Sequence, residues 1–203
     1  MAKNYKSFTG LEGFMYQVDG EDTINNVVEP IEYLQEVSVA TEQSIEKAYG
    51  DNVVAELAVS NGTTEVQSTF HKLPLEDRAI LFGLKVVDGI VGQGIPQAPY
   101  VNVMFTKTME NGAKEYVGLK RGLFTIPESS NSTKKDSVEF SSDQSTAEFM
   151  GSHSELMNEH MVVLLGEDKK GETAARDAIY LDIFGVNHPD STTDTATEPV
   201  PEA

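Results

Sequence analysis

The chain is predicted to be mainly β and antiparallel. Apolar and polar residues alternate with a period of two over much of its 203 residues, and the dipeptide Asn-Gly stands twice between such runs. Only two stretches carry the punctuation of a helix.

From Tyr33 to Thr41, Tyr33, Val37 and Val39 share one face, while Glu36 and Ser38 fall between them. From Val53 to Val59, Val53, Ala55, Leu57 and Val59 face one way and Glu56 the other. After Asn61-Gly62, a favoured two-residue turn, Thr64, Val66, Ser68 and Phe70 alternate with Glu65, Gln67 and Thr69, which predicts a hairpin centred on that turn. Thr41 to Asn52 is then a long connection, and its Ile45, Ala48 and Tyr49 are apolar groups that a monomer would leave wet or fold back on itself.

A short helix is expected from Leu75 to Phe82: Pro74 precedes it, Glu76 and Asp77 lie in its first turn, and Gly83 ends it. Val86 to Gln97, with Gly89, Gly92 and Gly94, reads as a flexible loop. Its glycine order is wrong for a dinucleotide fingerprint, and no Gly-Lys-Ser/Thr follows. Tyr100 to Thr108 and Glu115 to Ile126 form a second hairpin across Met109 to Lys114, centred on Asn111-Gly112. Gly118 and Gly122 in the returning strand mark a bulge or a close approach by another backbone. Short strands are expected at Ser137 to Ser141, Ser145 to Met150 and His160 to Leu165, with a polar loop from Ser129 to Lys135. A second helix is expected from Glu172 to Phe184, starting near Glu172 or Thr173 and stopped by Gly185. Residues 1–186 are read as one domain with an N-terminal arm. Residues 187–203, with Val200 their only large apolar residue, are read as an acidic, disordered tail.

Composition narrows the function. There is no cysteine, so thiolate metal sites and disulfides are excluded. No apolar run approaches the roughly 20 residues that span a bilayer, and no membrane partner is expected. The net charge of −18 is spread evenly, with 15 acids and 6 bases up to Val101 and 18 and 9 beyond it, an excess of 9 in each half. Such a surface repels phosphate, so gripping a nucleic-acid backbone is not expected. The one basic cluster, Lys107, Lys114, Lys120 and Arg121, suits an acidic face of a neighbouring copy better.

The catalytic inventory is poor. His71, His153, His160 and His188 show no zinc-protease spacing, and His153, Glu155, Glu159 and His160 are read as a surface loop rather than a two-histidine, one-carboxylate cluster. No Gly-x-Ser-x-Gly elbow occurs. No catalytic residue, metal or cofactor is expected.

The order of the pieces resembles a known family. A strand start at Gly13-Phe14-Met15-Tyr16 precedes a segment ending Ser44-Ile45-Glu46-Lys47-Ala48-Tyr49-Gly50-Asp51, and a short helix follows the next hairpin strand. Gln97-Ala98-Pro99-Tyr100-Val101 then leads into a strand, a Lys/Asn/Gly turn, and Glu115-Tyr116-Val117-Gly118-Leu119-Lys120-Arg121-Gly122-Leu123-Phe124-Thr125-Ile126-Pro127. From about Lys6 to Gly185 this resembles the major tail (tube) protein of phages with long non-contractile tails. The resemblance implies two antiparallel sheets in a sandwich or barrel with a flanking helix, and rings of six copies stacked into a tube for the genome. Expected partners are copies of the chain itself, other tail proteins at the tube ends, and DNA passing without specific binding, in a virion assembled in the host cytoplasm.

An acidic wall offers DNA no counterion-release gain, so the polymer slides. Glu36, Glu56, Glu65, Glu139 and Glu148, on polar faces of the expected strands, are the candidate lumen residues. Ile45, Lys47, Ala48, Tyr49, Asn111 and Lys114 are the candidate contacts between subunits, all expected in loops. Two other classes share the strands and the acidity: a β-sandwich binding, decoration or adhesin module, which exposed aromatics at loop tips would mark, and a carbohydrate-active β-sandwich, which two acids with raised pKa values in one pocket would mark.

Overall fold

A computed structural model describes residues 5–20, 27–50, 53–95, 97–127 and 142–191. The order of elements is β1 (Phe8–Asp19), β2 (Glu29–Ile31), β3 (Leu34–Gly50), β4 (Val53–Phe70), α1 (Leu75–Leu81), β5 (Lys85–Val87), β6 (Ile90–Gly92), β7 (Tyr100–Met109), β8 (Lys114–Thr125), β9 (Asp143–Phe149), β10 (Ser152–Ser154), β11 (Glu159–Met161), β12 (Val163–Asp168) and α2 (Ala174–Phe184). The fold is mainly β and antiparallel with flanking helices, as expected.

Eight strands form one sheet in the order β2-β1-β7-β8-β9-β4-β3, with β12 also paired to β8. The layers of the expected sandwich are two parts of this one sheet, bent over on itself. The bend is made in β8. Its first half, Lys114 to Leu119, pairs with β12, and its end, Gly122 to Thr125, pairs with β9. Between them Arg121 takes a left-handed backbone, φ 57°, and the partner changes there. Phe14 on β1 and Phe70 on β4 then meet edge to face at 5.0 Å, although β7, β8 and β9 separate their strands within the sheet. Around that contact pack Tyr16, Val66, Phe105, Leu119, Phe149 and, from the α1 end, Leu81 and Phe82. The alternating sides of β4 account for this core: Val66 and Phe70 turn in with Ser68, whose hydroxyl meets that of Ser145 on β9 at 2.8 Å.

α2 covers the other side of β7, β8 and β12 with Ile179, Tyr180 and Ile183 against Met104, Tyr116 and Leu164. Two glycines make room for it. A Cβ on Gly118 would stand 2.6 Å from the Ile183 side chain, and one on Gly166 2.8 Å from that of Ile179. The close approach expected at Gly118 and Gly122 is therefore by side chains, from α2 at the first and from the Phe149 ring at the second. Asp168, at the end of β12, accepts from the N–H groups of Ala175 and Arg176 at 3.0 Å each, which places a carboxylate at the positive end of the helix. At the other end Gly185 is left-handed and the Phe184 carbonyl accepts from Gln17 Nε2. Residues 187–191 fold back on α2, where the His188 ring stands edge to face on Tyr180.

Several sequence expectations shift. Asn61-Gly62 is not a hairpin turn, because β4 runs straight through it and β3 runs through most of the expected Thr41 to Asn52 loop. Thr41 faces Thr64 while Gln43 faces Asn61, so one residue of β3, Glu42, opposes two of β4, Gly62 and Thr63, in a bulge. The hairpin closes where Gly50 faces Val53. Asn-Gly eases either a turn or a bulge, and the strand opposite decides which. Within the expected glycine loop, β5 and β6 form a small hairpin whose Asp88-Gly89 turn has φ 51° and 78°, the signs of a type I′ turn. The expected strand from His160 to Leu165 is split into β11 and β12. Ser129 to Ser141, with Glu139, and residues 192–203 lie outside the described residues.

Candidate functional site

The chemistry of the surface is set by the two faces of the β3–β4 pair. On the outward face of the body, Glu36 lies opposite Thr69, Ser38 opposite Gln67 and Ala40 opposite Glu65, while on the next strand Glu148 stands directly across from Glu65. The bulge at Gly62 adds one residue to β4 and so exchanges its odd and even sides. Beyond it Glu46 faces Ala58 and Ala48 faces Glu56, and all four belong to the same outward face. Glu36, Glu56, Glu65 and Glu148 are thus brought onto one polar face. Like charges directly across a ladder weaken a sheet, so the Glu65 and Glu148 pairing is not there for the stability of the single chain. Glu65 is held by Gln67, whose Nε2 donates to Oε1 at 2.6 Å.

Glu42 and Glu46, within the expected Thr41 to Asn52 loop, are strand residues that extend that face. The signal was present: Glu36, Ser38, Ala40, Glu42, Ser44, Glu46 and Ala48 keep one unbroken period of two.

The core face of the same pair also continues past the body. Val37, Val39 and Val66 belong to the core, and the Thr41 and Thr64 hydroxyls meet at 2.9 Å at its rim. Past them Ile45 faces Val59, Lys47 faces Leu57 and Tyr49 faces Val54. Among the described residues no element covers them here: Ile45 is 64% exposed, Tyr49 68% and Leu57 61%. The outer half of the pair is thus an arm with one apolar and one acidic face. Ile45, Lys47 and Tyr49, expected in a loop, are strand residues on the apolar face, and Ala48 lies on the acidic one. β3 ends the strand order, so among the described residues its outer edge has no partner strand.

Asn111 and Lys114 lie elsewhere, at the β7–β8 turn. Asn111 Oδ1 accepts from the Ala113 N–H at 3.0 Å, and the Lys114 ammonium pairs with Glu12 on β1. The basic cluster serves the chain itself. Lys107 pairs with Glu115 at 2.9 Å, Arg121 lies over the Tyr100 ring, and Lys120 is buried. Only 8% of the Lys120 side chain and 2% of the Asp182 side chain are exposed, and they meet at 2.9 Å. Lys120 also donates to the His153 carbonyl, and Asp182 Oδ1 accepts from the Leu156 N–H, which fastens the β10–β11 hairpin to α2. Burial pushes the Asp182 carboxyl up, but the Leu156 N–H, Lys120 and the Ser154 hydroxyl together outweigh it and hold it below the ordinary carboxylate value. A cavity of about 710 Å³ lies beside this pair, between Leu156 and Leu181.

His153 and His160 are cross-strand partners on β10 and β11, yet among the described residues no group of three or more His, Asp or Glu side chains is placed to hold a metal. No helix among them is long and apolar enough to cross a membrane. The Tyr16 hydroxyl donates to Asp77 at 2.8 Å and ties β1 to α1, with burial first and that bond second in raising its pKa.

No curated protein matches the chain at a significant level. The family model for phage tail tube proteins matches residues 39–185, well over half of the chain, from the middle of β3 through α2. The chain belongs to the phage tail tube protein family.

Proposed function

We propose that the chain is a tube subunit that assembles through the β3–β4 arm into stacked rings of six, with the acidic face turned to the lumen. The observation that carries this reading is the arm. Its period-two pattern is that of a half-buried sheet, yet among the described residues nothing covers the apolar side formed by Ile45, Tyr49, Leu57 and Val59. A second copy covers it and also pairs with the open edge of β3, so self-association satisfies an apolar surface and a backbone edge together. Asn111 and Lys114 are lesser contacts.

The tail tube family is one of structural virion proteins, and the acidity suits a conduit. With Glu36, Glu42, Glu46, Glu56, Glu65 and Glu148 on one face, DNA passing that face would displace few counterions. Within about 8 Å at physiological salt those charges repel phosphate, and the genome passes without being held. Residues 1–186 would form the tube body, with the remainder an appendage to it.

Negative-stain electron microscopy of the concentrated full chain tests this. Hollow tubes with six-fold end views are expected, and a monodisperse monomer at every concentration would overturn the proposal. In the tubes, Glu65→Lys together with Glu148→Lys should make double-stranded DNA co-sediment at low salt and block its passage. If the added lysines instead bind DNA only on the outer wall, the acidic face is not the lumen.

A further inference from the structure

The segment after α2 is held by an imidazole in one protonation state. His188 Nδ1 accepts from the Asp190 N–H at 3.0 Å, and the Ser191 N–H donates to the His188 carbonyl at 2.9 Å, which closes a tight turn. The ring stands 4.8 Å from that of Tyr180, itself buried in α2, and Arg176 Nη2 donates to the Asp190 carbonyl at 3.3 Å. A nitrogen that accepts a hydrogen bond carries no proton, so this turn requires neutral imidazole.

We infer that His188 is an acid-sensitive latch: neutral, it holds residues 188–191 against α2, and on protonation it releases them. Protonation turns the acceptor Nδ1 into a donor facing the Asp190 N–H, and it sets a cation beside the Arg176 guanidinium, which pairs with its neighbour Asp177 at 2.8 Å.

The charges facing the ring do not all oppose protonation. Burial, and next Arg176, push its pKa below the ordinary imidazole value, while Asp190 on the turn and Asp177 on α2 pull it up. From the strands, Asp168 on β12 accepts from the Arg176 backbone N–H at 3.0 Å, and the Arg176 charge also acts on the Tyr116 hydroxyl of β8. With the closed-state pKa lowered, the latch is fully effective above the free value of about 6.5 and weakens as the pH falls toward the closed-state value.

Nuclear magnetic resonance on the full chain tests the latch. The His188 ring shifts and the protection factors of the Asp190 and Ser191 amides, corrected for intrinsic exchange, are followed from pH 7.5 to 5. The expected result is a ring midpoint below about 6.5 and a fall in protection of about tenfold or more that begins near 6.5 and levels off below the ring midpoint. His188→Asn supplies a side-chain oxygen that accepts from the N–H two residues on and does not titrate, so its protection should stay flat with pH. Asp190→Asn should keep the step. Unchanged protection while the ring titrates overturns the inference, as does a step that survives in His188→Asn or disappears in Asp190→Asn. If His188→Asn does not fold, the wild-type curves decide alone, and protection that stays flat between about 6.5 and the ring midpoint overturns it.

Discussion

The two halves of the β3–β4 pair share a pattern and differ in what covers them. In the body Val37, Val39, Val66 and Phe70 lie on a core that includes Phe14 and Phe149. In the arm Ile45, Tyr49, Leu57 and Val59 continue the same face, and each is more than half exposed. The ladder is antiparallel throughout and keeps its outward acids throughout. An alternating strand states that one side is to be buried, and it does not state against what. In the body the answer is the chain's own bent sheet, and in the arm we assign it to a second copy.

The largest expected effect breaks the comparison at the arm. Replacing Ile45 and Tyr49 together by Ser should remove roughly 3–6 kcal/mol of apolar burial per copy at a subunit contact, abolishing polymerisation while leaving the monomer melting curve nearly unchanged. Sedimentation velocity and thermal melting read the two properties separately. If the double variant unfolds, the arm is packed in the monomer. If it still assembles, the contact is elsewhere.

On the body side, Asp182→Ala strands the Lys120 ammonium and should cost about 3–5 kcal/mol in urea unfolding. Acid should do the same by titration. Because the Asp182 pKa is lowered by folding, its contribution is present above the unfolded value of about 3.9 and is lost as the pH falls through the lower folded value. Asp182→Asn should therefore flatten part of the acid limb of stability against pH, and an unaltered limb would show that other groups drive acid unfolding.

A matched pair sharpens the comparison further. Phe70→Ala should destabilise the monomer by about 3–5 kcal/mol, and Leu57→Ala by no more than about 0.5 kcal/mol, although both side chains lie on the core-side face of one strand. Comparable losses in chemical denaturation would mean that the arm folds onto the body in solution. The smallest effect is expected at the C-terminus, where ending the chain after Ser191 should leave the melting temperature within a few degrees. Ending it at Asn187 also removes the His188 ring from Tyr180, a contact worth on the order of 1 kcal/mol, and should lower it more.

Much of this was legible in local pattern. Both helices stand where Pro74, the acids at Glu76 and Asp77, and Gly185 predicted them, because helix ends are punctuated by groups close in sequence. The Asn111-Gly112 hairpin held, with Gly112 at φ 80°. Asn61-Gly62 misled, since a residue tolerant of unusual backbone geometry suits a bulge as well as a turn. That error moved the loop, and with it the setting of Ile45, Lys47, Ala48 and Tyr49.

The pairing of distant charges was not legible. Lys120 reads as one of a basic cluster, yet its partner Asp182 lies 62 positions on, in another element. The N-terminal anchor of α2 is likewise Asp168 on a strand, not the Thr173 beside the helix.

The sequence by itself determined that the chain is β-rich, where its helices stand and that it is strongly acidic, because alternation and punctuation act over a few residues. It did not fix every face, since Tyr33 is left-handed, lies before β3 and is exposed, and a second register shift, at Ala48 and Tyr49, sets Val54 rather than Val53 on the side of Leu57. Only the tertiary structure decided where β8 changes partners, that β3 and β4 run unbroken through the expected loop and turn, and that four candidate glutamates share one face. These depend on register between strands far apart in the chain. A single extra residue, such as the one at Gly62, exchanges the two sides of the strand as far as the next register shift.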